Sequence, residues 1–410
     1  MTPPGGRPTA RASSPVVWTA AVTFLVMMGL GLLPPALPRI AAHYDVSTAE
    51  VALLLTAFAL GRLVFSLPGG MIADRLGFKR VAVVGCAVTA AGALYAVTLP
   101  SFWALVAAQV VQGLGSALYT TAALAAILAD APEHRIGRVT ALYQGVILAG
   151  MTSAPAIGGL AVRFLGLPGP FLVYGIAAGV GLAISVWRVP SVDAATAARA
   201  DGSSEPGGEV DRRRLLAELL RHRAVPLVLA LSFGVFWVVS GVRNTLIPVF
   251  AETVLGLGPV ASGWLLTAAG FGSLAVLRHA GRAIDRGRRP VLVAGTLAMA
   301  VSVAALAVAV DPWVLAGVTL LLGVTRGYAG VVPVTVIVDV ADRRVQGTAI
   351  GLQRTATGLG LTVGPYTAGL LVDGVGYAAT FVGVGAVLAG LALLGLRTPE
   401  TGVAPPVTRR

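Results

Sequence analysis

The chain reads as an all-α integral membrane protein with twelve transmembrane helices arranged as two pseudo-symmetric six-helix bundles. Three observations predict this. The 410 residues are 56% hydrophobic and only 12% charged, whereas soluble domains carry about 25% charged residues. Mean hydropathy is +0.85, and apolar runs of about 18 or more residues recur along the whole length, each long enough to cross a bilayer. Finally, the charged stretch Gly70-Met-Ile-Ala-Asp74-Arg75-Leu-Gly77-Phe-Lys79-Arg80 recurs as Gly281-Arg-Ala-Ile-Asp285-Arg286-Gly287-Arg288-Arg289. Each copy leaves one apolar segment and enters another. Two similar bundles joined in one chain explain the repetition.

In chain order, residues 1–15 are a polar, disordered tail holding Arg7 and Arg11. The first span, 16–39, follows it. That pairing resembles a signal peptide superficially, but the apolar run is too long, no small-residue cleavage site is evident and more spans follow. The N-terminal bundle, 16–187, continues with spans 50–71, 80–98, 102–128, 139–162 and 169–187. Short loops join them, as antiparallel neighbours require. Residues 188–223 are the exception. They contain the flexible run Asp201-Gly-Ser-Ser-Glu-Pro-Gly-Gly208 and then a segment with Leu215, Leu216, Leu219 and Leu220 on one helical face and arginines around it. This predicts a cytoplasmic linker with an amphipathic helix on the membrane surface. The C-terminal bundle, 224–396, holds spans 224–249, 260–279, 290–309, 312–337, 346–371 and 376–396, and 397–410 form a cytoplasmic tail.

The formal charge of +12 could suggest nucleic acid, but its distribution says otherwise. Outside the spans, nearly every Lys and Arg falls in segments that share one side if the spans alternate; Arg39 and Arg163 are the exceptions. This is the positive-inside pattern and places both termini in the cytoplasm. One cysteine, Cys86, and four scattered histidines exclude a disulfide framework and give no metal-ligand spacing. No cofactor is expected. Trp18, Trp103, Trp187, Trp264 and Trp313 lie near span ends and read as interfacial anchors.

The repeat holds at an offset of about 210 residues: Gly70 maps to Gly281, Gly113 to Gly323, Pro155 to Pro365 and Gly159 to Gly369. Six spans separate equivalent points, so the halves share an orientation. A pseudo-twofold axis along the membrane normal then puts the substrate path at their interface.

The hairpin Gly70–Arg80 resembles the signature of the major facilitator superfamily between its second and third helices. Gln112-Gly113-Leu-Gly115-Ser-Ala117 resembles the family's fourth-helix motif. Gly150-Met-Thr-Ser-Ala154-Pro155-Ala-Ile-Gly158-Gly159 resembles the fifth-helix motif associated with antiporters and drug exporters, and Gly360-Leu-Thr-Val-Gly364-Pro365-Tyr-Thr-Ala-Gly369 repeats it in helix eleven. The resemblance covers the whole chain and is nearest to the twelve-helix drug:proton antiporter and multidrug exporter group. Two departures stand out. Gln109 occupies the position where the family's fourth-helix motif has an arginine linked to proton coupling, and Ala154 stands where glycine is usual.

Each motif also has a physical reading. At Asp74 a carboxylate sits at a helix boundary, where complementing a helix dipole is worth roughly 0.3–2 kcal/mol. With Gly70, Arg75, Gly77, Lys79 and Arg80, and with Asp285 and Arg286 in the second copy, it forms a candidate conformational latch; the alternative is a topology signal alone. Gly150, Ala154, Gly158 and Gly159 have small-residue spacing that lets helices approach closely, while Pro155 and, in the repeat, Gly364 with Pro365 loosen the helix. They are candidates for a hinge, or for ordinary close packing.

All 18 acidic residues fall in loops or at span ends, yet Arg62, Arg243, Arg326 and Arg354 fall inside spans. An arginine at a helix centre costs about 2.5–3.5 kcal/mol on insertion scales, so such residues usually face a water-filled cavity. Arg326 lies about 20 Å from either end of its span, Arg62 and Arg354 roughly 12 Å from the cytoplasmic end. Arg243 is near the outer end, where snorkelling explains it. Arg62, Arg326 and Arg354, with Gln112, Tyr119, Asn244 and Tyr328, are the substrate-cavity candidates; Gln144 and Gln353 are further polar span residues. A cavity with arginine and no carboxylate favours anionic or polar neutral substrates over lipophilic cations.

The sequence therefore predicts a monomeric secondary transporter in the bacterial plasma (inner) membrane, moving a small organic, anionic or drug-like molecule outward by alternating access. Protons are a candidate coupling ion, and nucleic acid is not a partner. An importer or facilitator of the same fold for a polar or anionic metabolite is the alternative, and a non-transporting membrane sensor is the alternative from another class. No nucleotide-binding GxxxxGK[ST] element is present. The spans also lack the nucleophile–base pair of an enzyme.

Overall fold

The computed structural model describes residues 14–99, 101–129, 136–188, 224–342 and 345–397, with Leu215, Leu219, Leu220 and His222 between them. No described residue lies in a strand. Among the described residues, eleven helical stretches are long and apolar enough to cross a membrane.

The first span is α1 (Ser14–Met27), two 3-10 turns at Met28–Leu30 and Pro34–Ala36, and α2 (Leu37–Tyr44). Then come α3 (Thr48–Leu76), α4 (Phe78–Val97), α5 (Phe102–Ala129), α6 (Ile136–Leu165) and α7 (Gly169–Trp187). The seventh span is α8 (Ala224–Trp237), a π-helical stretch Val238–Leu246, and α9 (Ile247–Thr253). It is followed by α10 (Pro259–Arg286), α11 (Arg288–Ala305), α12 (Pro312–Ala329), α13 (Val332–Val340) and α14 (Gln346–Leu394). The 49 residues of α14 would reach about 73 Å as one helix, far beyond a bilayer core of about 30 Å. Gly376, at φ 79° and ψ 171°, breaks it into two. The spans therefore number twelve.

Local chemistry sets the boundaries. Ser47 and Glu50 form a reciprocal capping box at the start of α3, with Glu50 N–H donating to Ser47 Oγ at 3.2 Å and Ser47 N–H to Glu50 Oε2 at 2.8 Å. Gly77, at φ 81°, ends α3, and its N–H closes on the Ala73 carbonyl at 2.9 Å. Asp311 caps α12 by accepting from Trp313 N–H at 2.7 Å.

Helices α1 and α3–α7 pack on one another, as do the elements from α8 onward. The contacts that join the two sets are chiefly α6 with α10 and α3 with α14. The pairings repeat at the offset of the sequence repeat. A Cβ on Gly113 of α5 would fall 2.1 Å from the Phe58 carbonyl oxygen on α3, and one on Gly323 of α12 would fall 2.1 Å from that of Ala269 on α10. Hydrogen there permits backbone approach that no side chain would allow.

Apolar side chains face outward as well as inward: Val301, Val387 and Phe271 are all more than half exposed, as lipid-facing residues are. Trp103, Trp187, Trp264 and Trp313 stand exposed near helix ends. Trp18 lies under the Arg188 guanidinium, 5.2 Å from ring centroid to carbon. Trp237 is different: its Nε1 donates to Thr367 Oγ1 at 2.8 Å and ties α8 to α14. Most of the linker, including its expected surface helix, lies outside the described residues. Leu219 is buried in one cluster with Ala224 and Ile284, while Leu220 is exposed.

Candidate functional site

The first and seventh spans both lose regular helix at mid-depth, and at equivalent places in the repeat. Gly29, Gly31, Pro34 and Pro35 surround the 3-10 turns of the first. In the seventh, Pro248 supplies no N–H to the preceding turn, and the ladder before it widens to π register. Thr245 Oγ1 donates five residues back to the Ser240 carbonyl at 2.8 Å. Irregular backbone at membrane depth is tolerated where protein or a cavity surrounds it. A cavity of about 30 Å³ lies between these two stretches, lined by Gly29, Phe58 and Gln109 on one side and Ser240, Asn244 and Pro365 on the other. That is room for about one water molecule. Gln109 Oε1 is buried there without a hydrogen-bond partner.

On one side of this cavity, the end away from the α3–α4 hairpin, the two bundles are sealed. Arg39 Nε donates to Glu252 Oε1 at 3.0 Å. Asp373 Oδ2 accepts from the Ala49 N–H at the start of α3, at 2.8 Å. Leu37, Val51, Leu54 and Phe102 form an apolar cluster with Val249 and Tyr377 from the other bundle. Two glycine contacts complete the seal, and they are pseudo-symmetric. A Cβ on Gly159 would lie 2.3 Å from the Pro259 carbonyl oxygen, and one on Gly369 would lie 2.5 Å from Ala49 Cα. The hinge candidates thus divide by face. Gly150 and Gly158 meet carbonyls of Phe24 and Leu32 in the first span, and Ala154 meets Gly31. Gly159 and Pro155 meet α10 of the opposite bundle, at Pro259 and Gly263. In the repeat, Gly364 meets Gly241, and Pro365 lines the central cavity.

Toward the hairpin end the described residues of the two bundles separate. Leu63 against Gly358 and Thr152 against Gly270 are contacts near mid-depth. Past them, Gly145, Gly347 and Gly351 have open space where a side chain would begin, and Leu142, Gln144, Arg354 and Thr355 are exposed. From Leu63 to the end of α3 at Leu76 is roughly 20 Å. Among the described residues, the bundles are open on the hairpin side and closed on the other.

The latch candidates sit around that opening. Arg75, Arg80, Asp285 and Arg286 are exposed and Lys79 is half-buried; none of the five makes an ion pair with a described residue. The backbone of Gly70 and Asp74 belongs to α3, but the surroundings of the Asp74 side chain lie outside the described residues. The ion pair near the second hairpin is instead Arg288 with Asp339 at the end of α13, a pair the sequence reading missed. The two hairpins also differ in backbone: Gly77 is left-handed, whereas Gly287 is extended.

The arginines inside the spans are held differently. Arg62 donates through Nη1 to Ser116 Oγ on α5, and Arg354 is exposed on α14. Arg326 lies over the Phe236 ring, 5.7 Å from its centroid, with its Nε buried and unpartnered. Ser116 and Arg326 are equivalent in the repeat, so both bundles present a guanidinium at matching depth. One comes from α3 and the other from α12.

Four expectations need correction. Arg243 does not snorkel: it is 8% exposed, and its Nη2 donates to the Leu266 carbonyl of α10 at 2.6 Å. Packing against α10 holds it inside. Tyr119 is fully buried in the first bundle, its hydroxyl donating to the Thr19 carbonyl at 2.9 Å, so it is core and not cavity wall. Gln112 is 2% exposed and packs on Gly92 of α4. Its place on the cavity wall is taken by Gln109, nearly one turn earlier. Tyr328 faces α10, where its hydroxyl meets His279 Nδ1 at 2.8 Å. Asn244 does line the central cavity. Gln353 is buried and donates to Ser232 Oγ at 3.4 Å.

The family model of the Major Facilitator Superfamily matches residues 19–277 and 238–409. The quinolone resistance protein NorA of Staphylococcus aureus is 24% identical over 376 residues, covering 90% of this chain and 93% of that protein. The inner membrane transport protein YajR of Escherichia coli is 28% identical over 251 residues, 60% of this chain; the match spans about half of YajR, 52%. Among solved structures, a D-xylose–proton symporter superposes with a TM-score of 0.77 at 16% identity, covering 94% of this chain and 98% of that one. A bacterial homologue of the human lysosomal transporter Spinster, in an inward-facing and occupied conformation, gives 0.74 at 16% identity, covering 96% and 98%.

Proposed function

The chain belongs to the Major Facilitator Superfamily, and from that premise we propose that it is a secondary active exporter of a small organic molecule. Residues 16–187 and 224–396 rock as two bodies about the central cavity, with the hairpin end in the cytoplasm of a bacterium and the sealed end outside. The single observation that carries the reading is the fifth span. Gly150, Ala154 and Gly158 fit it to the first span, while Pro155 and Gly159 fit it to the opposite bundle. Two faces of one helix therefore hold one body together and close the exit. The near full-length likeness to NorA, a protein named for quinolone resistance, supports outward transport and a drug-like cargo. Open bundles at the hairpin end match a state that loads from the cytoplasm, with the latch around Gly70–Arg80 and Asp285–Arg286 released.

An importer is the second reading, favoured by one observation: the same architecture superposes on a D-xylose–proton symporter. Asp339 lies in α13 but is bound to Arg288, so coupling to protons would run through the cargo, through Asp45, or through Glu252 or Asp373 at the seal. Inside-out vesicles separate these readings. Substrate accumulation driven by an imposed pH gradient supports export with proton exchange. Accumulation only in right-side-out vesicles would overturn it.

A further inference from the structure

We propose that Gln109 and Asn244 together recognise one neutral group of the cargo at the central cavity, a carboxamide or lactam that carries an N–H donor beside a carbonyl acceptor. The inference rests on the transporter reading above and deepens it by naming the chemical class of the cargo.

The cavity takes one carboxamide from each bundle, Gln109 from α5 and Asn244 from the π-helical stretch of the seventh span. Gln109 is 3% exposed, and its Oε1 is buried without a partner. The half-buried Asn244 side chain likewise bonds to no described residue. A carboxamide offers one acceptor oxygen and two N–H donors, and buried polar groups in folded proteins are nearly always paired. Two idle amides on one space therefore mark where a ligand supplies the missing bonds. Ser240 and Leu361 tilt the balance toward acceptors. The Ser240 hydroxyl donates its proton to the carbonyl of Phe236 or Gly360, each at 3.1 Å, which leaves its oxygen to accept. Pro365 has no N–H to return to the Leu361 carbonyl, and both residues line the cavity.

Electrostatics favours a neutral ligand. No described residue lining the cavity is charged. Arg62 is turned to Ser116 on α5, Arg243 to Leu266 on α10, and Arg326 lies over Phe236. An ion entering the cavity would lose its water without meeting a counter-charge. A neutral amide exchanges its bonds with water for bonds to two carboxamides. The cavity has room for about one water molecule, so only the terminal group of a cargo reaches it, displacing a water whose bonds an amide reproduces. Because the two carboxamides belong to opposite bundles, a group bonded to both ties the bundles together at mid-depth. A compound without the donor leaves Gln109 Oε1 unpaired, and sites built to hydrogen-bond a ligand reject such analogues strongly.

The test uses the full chain in detergent and in proteoliposomes. Thermal unfolding is followed with benzamide and 2-pyridone, against N,N-dimethylbenzamide and N-methyl-2-pyridone, which keep the ring and the carbonyl but lose the N–H. We expect a saturable rise in Tm with at least one of the two parents, and binding of its methylated partner weaker by about tenfold or more. Gln109→Met and Asn244→Leu should each weaken the parent by a similar factor. Gln109→Met should also leave the unliganded Tm unchanged or raise it, because it replaces an unpaired amide by an apolar chain of similar length. A residue serving the fold alone would lower that Tm and leave affinity as before. The proposal is overturned if neither parent stabilises the protein, if a methylated compound matches its parent, or if Gln109→Met binds as the unaltered chain does. Should both variants fail to fold, the comparison of parent and methylated compounds on the unaltered chain still decides. In vesicles, movement of compounds without an N–H donor as fast as the amides would sink this site and leave the exporter reading standing. Saturable amide binding with no movement of any compound would sink the exporter reading and leave the site.

Discussion

Asp373 is one carboxylate acting across two bodies. Its Oδ2 takes the Ala49 N–H at the first turn of α3, where an anion complements the positive end of a 29-residue helix by roughly 0.3–2 kcal/mol. Its equivalent in the repeat is Arg163, whose sign cannot serve the start of α10 in the same way, so the seal is electrostatically lopsided. Replacing Asp373 by Asn keeps an acceptor and removes the charge. We expect the sealed end to open more often, seen as severalfold faster labelling of a cysteine placed there by a membrane-impermeant maleimide. Labelling at the unaltered rate would mean that apolar packing alone closes that end. A second prediction concerns Arg62. Ser116→Ala removes its one anchoring hydroxyl, costing about 1.5–3 kcal/mol for a bond to a charged group, so substrate affinity should fall while expression holds. Unchanged affinity would mark Arg62 as structural.

At the scale of elements, close approach decides which glycines matter. Gly159→Ala forces a Cβ to within 2.3 Å of a main-chain oxygen on the opposite bundle, so α6 and α10 must part. We expect transport to drop at least tenfold, with the bundles held open at the far end in spin-label distance measurements. Gly145→Ala is the control: open space surrounds that position on the same helix, and alanine there should be neutral or stabilise by about 0.5–1 kcal/mol. Equal loss in both variants would argue for a general requirement for glycine in α6 and against a seal. The broken first and seventh spans follow a similar logic. Gly, Pro and π register occur where the backbone borders the central cavity, and regular helix resumes on either side.

For the whole molecule, alternating access requires the sealed end to come apart in every cycle. Arg39→Cys with Glu252→Cys places two thiols where an ion pair now bridges the bundles at 3.0 Å. Oxidation should arrest transport and reductant restore it, while each single variant stays insensitive to oxidant. Cys86 is fully buried and stays out of the reaction. Continued transport by the cross-linked protein would refute rocking about this cavity.

Patterns that depend on composition and periodicity were open to reading from the chain alone. Span order, the duplicated hairpin and the small-residue faces of the fifth and eleventh spans are of this kind, because lipid demands long apolar helices and close packing demands glycine at fixed spacing. The repeat offset also pairs Ser116 with Arg326 and Arg163 with Asp373 before any coordinates. What one sequence lacks is the rotation of each helix about its axis and the conformation adopted. Gln109 and Gln112 lie nearly one turn apart, and only packing against α4 sends one inward and leaves the other at the cavity. Arg243 looked like a snorkelling residue from its depth, yet contact with α10 turned it into the bundle. The sequence by itself determined that there are two bundles with buried arginines. The tertiary structure alone decided which end is closed and which way each arginine turns, because those depend on contacts between residues some 20 to more than 300 positions apart.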